Sequence, residues 1–136
     1  MKKVLWGIFL VAGLAITACT QSPKQSGNEG GTAAIAFDST EHHFGTLPYA
    51  GDGTYNFIFR NTGSEPLLLT NVRSSCGCTI PSWPKEPIAA GATDTIRVSY
   101  NTRISGRFSK SISVFSNAPA TPVILKITGT VLAAAE

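Results

Sequence analysis

The chain has 136 residues, 43% of them hydrophobic and 14% charged, with a formal net charge of +3. Setting residues 1–18 aside removes Lys2 and Lys3 and no acid, leaving nine bases against eight acids over 118 residues. A balance so near neutral, with no Lys/Arg cluster, gives no electrostatic footprint for nucleic acid, and the length fits one domain with a single core.

Lys2 and Lys3 precede an apolar run, Val4 to Ala15, that leads into Ile16-Thr17-Ala18-Cys19. A charged start, a short apolar middle and small residues before a cut are the layout of a secretion signal. The run of 12 residues is too short to cross a bilayer as a helix, which takes about 20. A cysteine directly after the small residues resembles the lipobox of bacterial lipoproteins. That resemblance implies a diacylglyceryl group on the Cys19 thiol, cleavage of residues 1–18 and acylation of the new amino end. Each buried methylene contributes roughly 0.8 kcal/mol, so two or three acyl chains anchor stably.

Residues 19–32 are then the lipidated cysteine and a tether. Thr20 to Thr32 contains no apolar side chain larger than proline, so nothing there can be buried against a core. Such a segment spans about 20 Å on average, enough to lift a domain clear of the headgroups. Thr20, rather than Asp, follows the cysteine, and no acidic run comes after it. By resemblance to known lipoproteins this implies an outer-membrane lipoprotein of the bacterial envelope, facing the periplasm.

From residue 33 the hydropathy alternates with period two. Tyr55, Phe57 and Phe59 share one face, as do Ile96, Val98 and Tyr100, then Phe108, Ile112 and Val114, then Val123, Leu125 and Ile127. Alternation of this kind buries one face of a strand and wets the other. Strands are predicted near 33–38, 42–47, 54–61, 66–74, 93–100, 107–116 and 121–131. About seven short strands between Gly, Pro and Asn turns predict an all-β, immunoglobulin-like antiparallel β-sandwich over 33–132, followed by a tail at 133–136. Asn61-Thr62-Gly63-Ser64 is a turn signal that predicts a hairpin between the third and fourth strands. His42 and His43 sit beside Phe44 on a predicted strand, where one ring packs and the other faces solvent.

Residues 74–91 read as a long loop, because Pro81, Pro84 and Pro87 break a ladder and Cys76-Gly77-Cys78 opens it. Loops this long in a compact domain carry a job or a local clamp. Three openings exist for the pair. A disulfide would close a three-residue ring, with Gly77 free to take sharp dihedrals. The closure term is only about 1.6 kcal/mol, so shaping the loop, or holding a labile redox couple, fits better than global stabilisation. Two thiolates would also suit a soft ion such as Cu(I), whereas tetrahedral zinc needs two further ligands, and His42 and His43 point to opposite faces. Thiol catalysis is the third, although the familiar redox motif has two residues between its cysteines and a helix start. Trp83 either covers the pair or anchors a partner from an exposed position.

Ser75-Cys76-Gly77-Cys78-Thr79, with Asn61-Thr62-Gly63, Trp83, Ala90-Gly91, Gly106-Arg107-Phe108, Ser116-Asn117 and Gly129-Thr130-Val131, resembles the bacterial family called domain of unknown function 1573. The resemblance covers about residues 37–131. It implies immunoglobulin-like modules often carried on lipoproteins, and it transfers no catalytic residue. The major-sperm-protein and Hydin-type modules are a more distant likeness.

No Gly-x-Ser-x-Gly elbow and no paired carboxylates occur, which argues against a hydrolase. The sequence therefore predicts a non-enzymatic envelope lipoprotein with no cofactor and no metal. It meets the membrane through Cys19 and a protein partner through an edge strand or the 74–91 loop, with Gly77 and Trp83 as candidate contacts. The alternative is a thiol-redox or copper-binding protein acting through Cys76 and Cys78.

Overall fold

A computed structural model describes residues 31–135; the signal segment, Cys19 and the tether up to residue 30 lie outside the described residues. Eight strands follow in order: β1 (Ile35–Phe37), β2 (Glu41–Leu47), β3 (Thr54–Asn61), β4 (Leu69–Ser74), β5 (Thr79–Ser82), β6 (Thr93–Tyr100), β7 (Gly106–Ser116) and β8 (Val123–Val131). No helix occurs among the described residues.

The strands form two four-stranded sheets, β1-β3-β6-β5 and β2-β8-β7-β4. The fold is the expected immunoglobulin-like sandwich, and three details differ. The strand count is eight, because β5 lies within the predicted loop and pairs with β6 despite Pro81. β2 pairs with β8 in parallel, while the other pairs are antiparallel. The third and fourth strands form no hairpin: β3 pairs with β1 and β6, and β4 with β7 in the other sheet. The 61–64 turn therefore carries the chain across the sandwich.

Period two fixes which side chains meet between the sheets. Phe57, Phe59, Ile96 and Val98 come inward from one sheet, and Ile112, Val114, Leu125, Ile127 and Val131 from the other, all buried. At one end the contact is aromatic. Tyr100 of β6 stacks on Phe108 of β7 with centroids 3.8 Å apart, and Phe44 lies 6.0 Å from Phe108. Burial pushes the Tyr100 phenol up from its ordinary pKa. Gly129 of β8 passes beneath these rings. A Cβ there would stand 2.8 Å from Phe108 Cζ and 3.1 Å from Phe44 Cβ, so only glycine admits the rings without displacing them.

Candidate functional site

Ser75-Cys76-Gly77-Cys78 is the corner at which the chain leaves β4 in one sheet and enters β5 in the other. Strands that switch sheets need a bend, and hydrogen bonds hold this one from both sides. Ser75 N–H donates to Ser111 O at 2.8 Å, and Ser111 N–H donates to Ser75 Oγ at 3.2 Å. On the β6 side, Asn101 N–H donates to Cys78 O at 2.8 Å.

Cys76 and Cys78 are joined as a disulfide, with Cα atoms 5.3 Å apart. Both residues are half-buried. The buried Thr79 places its hydroxyl oxygen 3.9 Å from Cys76 Sγ and 4.0 Å from Cys78 Sγ. Gly77 is exposed, its φ lies outside the left-handed region, and a Cβ added there would meet nothing within 4 Å. The dihedral freedom expected of Gly77 is therefore not used.

The bonds around the corner also set the edge of β5. Asn101 N–H points to Cys78, while Tyr100 N–H points the other way, to Gly53 O at 2.9 Å. Antiparallel pairs alternate, so Ile80 faces Ser99 in a hydrogen-bonded pair, and the backbones of Thr79 and Pro81 turn to the outer edge. Thr79 N–H reaches back to Cys76 O at 3.5 Å, and proline has no N–H. The outer edge of β5 thus presents carbonyls and no free donor, the condition under which proline is tolerated in a sheet.

A cleft of about 400 Å3 opens beside the corner, between the 50–54 segment, Gly77-Cys78, Ile80 and the 99–103 segment. Thr102 shapes its wall: the hydroxyl donates to Gly51 O at 2.6 Å, and Thr102 O accepts from Ala50 N–H at 3.0 Å. Asp52 Oδ1 accepts from Thr54 N–H at 2.9 Å. Hydrogen bonds from the Thr54 side chain and backbone hold the Asp52 carboxyl below its usual range. One side chain of the lining is apolar and strongly exposed. Ile80 is 69% exposed within the lining, while Tyr49 at 40% and Ile104 at 47% each adjoin a lining residue in sequence. The sequence reading named none of these three. The Asp52-Gly53 and Asn101-Thr102 turn signals could have located the two loops, though not their convergence.

Trp83 is half-buried against the core, as is Cys78. Lys85 Nζ sits 3.0 Å from the centroid of the indole, and the indole Nε1 has no hydrogen-bond partner.

His42 and His43 stand on β2, the opposite edge of the sheet from β4, so the fold does not bring them to the cysteines. A sulfur held in a disulfide offers no thiolate to a metal, and among the described residues no group of three or more His, Cys, Asp or Glu could hold one. A second hollow, about 590 Å3, lies over β2, β8 and β7. Register aligns two rows of polar side chains there, His43-Thr128-Ser109 and Thr46-Thr130-Arg107. His43 Nδ1 lies 2.8 Å from Thr128 Oγ1, and no carboxylate lines the hollow to orient the imidazole.

The profile of a family described as "Protein of unknown function (DUF1573)" matches residues 35–131. No curated protein matches the chain. Among solved structures, a protein of unknown function from Porphyromonas gingivalis W83 is similar, with a TM-score of 0.64 and 20% identity over 74% of this chain and 46% of that one. The chain thus spans about half the length of that protein. PapD-like domain 7 of human CEP192 also gives 0.64, with 10% identity over 95% of this chain and all of that domain. The CupB2 chaperone of Pseudomonas aeruginosa gives 0.52, with 10% identity over 70% of this chain and 54% of that one. At such identities the likeness shows a shared PapD-like, immunoglobulin-type fold.

Proposed function

The chain belongs to the DUF1573 family, and from that membership we propose that it is a non-enzymatic binding or assembly module of the bacterial envelope. A lipid on Cys19 holds it at the outer membrane, and the tether up to residue 32 sets the sandwich just clear of the surface. The partner is a protein, met by the end of the sandwich that carries the Cys76–Cys78 corner.

One observation carries the reading. Ile80, the most exposed of the seven large apolar side chains exposed on the described residues, lines the 400 Å3 cleft beside the corner. Scattered exposed aliphatics are ordinary, whereas one set in the wall of a concavity offers a partner's side chain a place to be buried. The β5 edge beside the cleft lacks donors, so a partner there engages side chains and not an added strand. The likenesses to the CupB2 chaperone and to the CEP192 domain supply the fold and leave the partner open.

Capture from envelope extracts tests this. Immobilised mature protein retains a partner, and Ile80→Asp, which puts a charge at the rim without touching the core, releases it. Equal retention by the variant, or no partner with either form, removes the binding reading.

A further inference from the structure

We propose that the Cys76–Cys78 bond is a thiol–disulfide exchange site whose co-reactant is a dithiol. This goes beyond the binding reading and does not depend on it. Three observations at the corner carry it.

The backbone is held without the bond. Ser75 is tied to Ser111, Cys78 to Asn101, and Cys76 N–H to Ser74 Oγ at 3.3 Å. These contacts fix the approach of the two Cα atoms at 5.3 Å, a spacing ordinary for a disulfide and open to a dithiol as well. A bridge across three residues also restricts the unfolded chain very little. The bond is therefore not needed to keep the corner, and breaking it leaves the fold in place.

The sulfurs can be reached. Both cysteines are half-buried rather than enclosed. Open space lies beside Gly77, where a Cβ would meet nothing within 4 Å, and Cys78 lines the cleft.

A hydroxyl stands ready for either leaving sulfur. Thr79 Oγ1 is 3.9 Å from one and 4.0 Å from the other, and a hydrogen bond to a thiolate favours the charged form. Exchange speeds up as the leaving thiolate is stabilised.

The step balances as follows. A thiolate of the dithiol attacks one sulfur, forming a mixed disulfide as the Cys76–Cys78 bond breaks. The bonding pair leaves on the other cysteine, whose thiolate accepts from Thr79 and then takes a proton from water. The second thiol of the reductant attacks the mixed disulfide, closes the reductant's own disulfide and frees the second cysteine as a thiol. Two electrons and two protons pass to the pair, and the dithiol is oxidised. In reverse, the reduced pair gives them to a disulfide.

The test treats the oxidised mature chain with excess dithiothreitol at neutral pH without denaturant. Alkylation and mass spectrometry count thiols, and circular dichroism follows melting. The expected result is two thiols per chain with Tm lowered by less than about 5 °C. Thr79→Val is expected to slow reduction by about threefold or more, and Thr79→Ser to restore it. A bond that resists the folded-state treatment, or opens only as the protein unfolds, overturns the proposal. Equal rates for all three forms remove the hydroxyl from the step and overturn the mechanism. The reduction assay contains no envelope partner and the capture assay no reductant, so failure here is distinct from failure of the binding reading.

Discussion

Asn61, fully buried at the end of β3, donates through Nδ2 to the carbonyl of Ile88, 3.0 Å away and 27 positions along the chain. The same nitrogen donates to Glu65 O at 2.8 Å. Its Oδ1 accepts from Gly63 N–H at 3.0 Å and from Ala34 N–H at 3.4 Å. One amide thus ties together the approach to β1, the crossing from β3 to β4 and the approach to β6.

Asn61→Ala removes the side-chain partner of those four backbone groups; Ile88 O keeps its bond from Leu67 N–H at 2.8 Å, and the other three groups are part-buried. Each buried unsatisfied group costs about 1–3 kcal/mol, and local relaxation recovers part of that. The expected loss is about 2–3 kcal/mol, read as the midpoint shift in urea unfolding. A loss under about 1 kcal/mol would show that the network contributes little.

Asn61 also marks how far the sequence was legible. Period two in Phe57-Ile58-Phe59 and Ile96-Arg97-Val98 reports one wet and one buried face, and the structure buries those same positions. The Asn61-Thr62-Gly63-Ser64 signal is local and reports that the chain turns, but not into which sheet it goes. β5 inverts the pattern, burying Thr79 and exposing Ile80. Its pairing is imposed by the corner and by Asn101, so periodicity could not reveal it. The parallel β2–β8 pair and the convergence of the 50–54 and 99–103 segments are long-range outcomes of topology with no local signature. The Cys-Gly-Cys segment was legible as special from its spacing, and its place between two sheets was not.

Two glycines separate packing from chain freedom. Gly129→Ala pushes a methyl group against Phe108, whose ring is already stacked on Tyr100 and cannot yield cheaply. Overpacking of this kind costs about 1–3 kcal/mol. Gly77→Ala places its methyl group in open space at an exposed position, with an expected change within about 0.5 kcal/mol. Thermal melts of both variants check the contrast, and a reversed order would contradict the packing described.

Pro81 keeps the β5 edge without donors. Pro81→Val restores an N–H that points away from β6 and adds a residue suited to strands. Edges that present both donors and acceptors invite pairing between chains. The variant is expected to self-associate with rising concentration under conditions where wild type does not, as read by sedimentation velocity. Identical sedimentation of the two across the concentration range would mean that some other feature protects this edge.

His42 gives the fold a pH dependence whose sign follows from its surroundings. The ring stacks on Tyr55 with centroids 3.5 Å apart and meets Phe44 edge-on at 4.5 Å. Burial, and secondarily the charge of His43, lower its pKa from the ordinary 6.5. The unfolded chain therefore binds the proton first as pH falls. Stability is complete above the ordinary value and declines as pH drops through it toward the lowered one. Tm is expected to fall between about pH 7.5 and pH 5.5, before carboxylates titrate. His42→Phe keeps an aromatic ring on Tyr55 and removes the titration, so its Tm should be flatter across that window. His43→Gln removes the secondary cause alone and should retain part of the slope. A wild-type Tm that is level over the window, or a His42→Phe slope equal to that of wild type, would place the origin of any pH effect elsewhere.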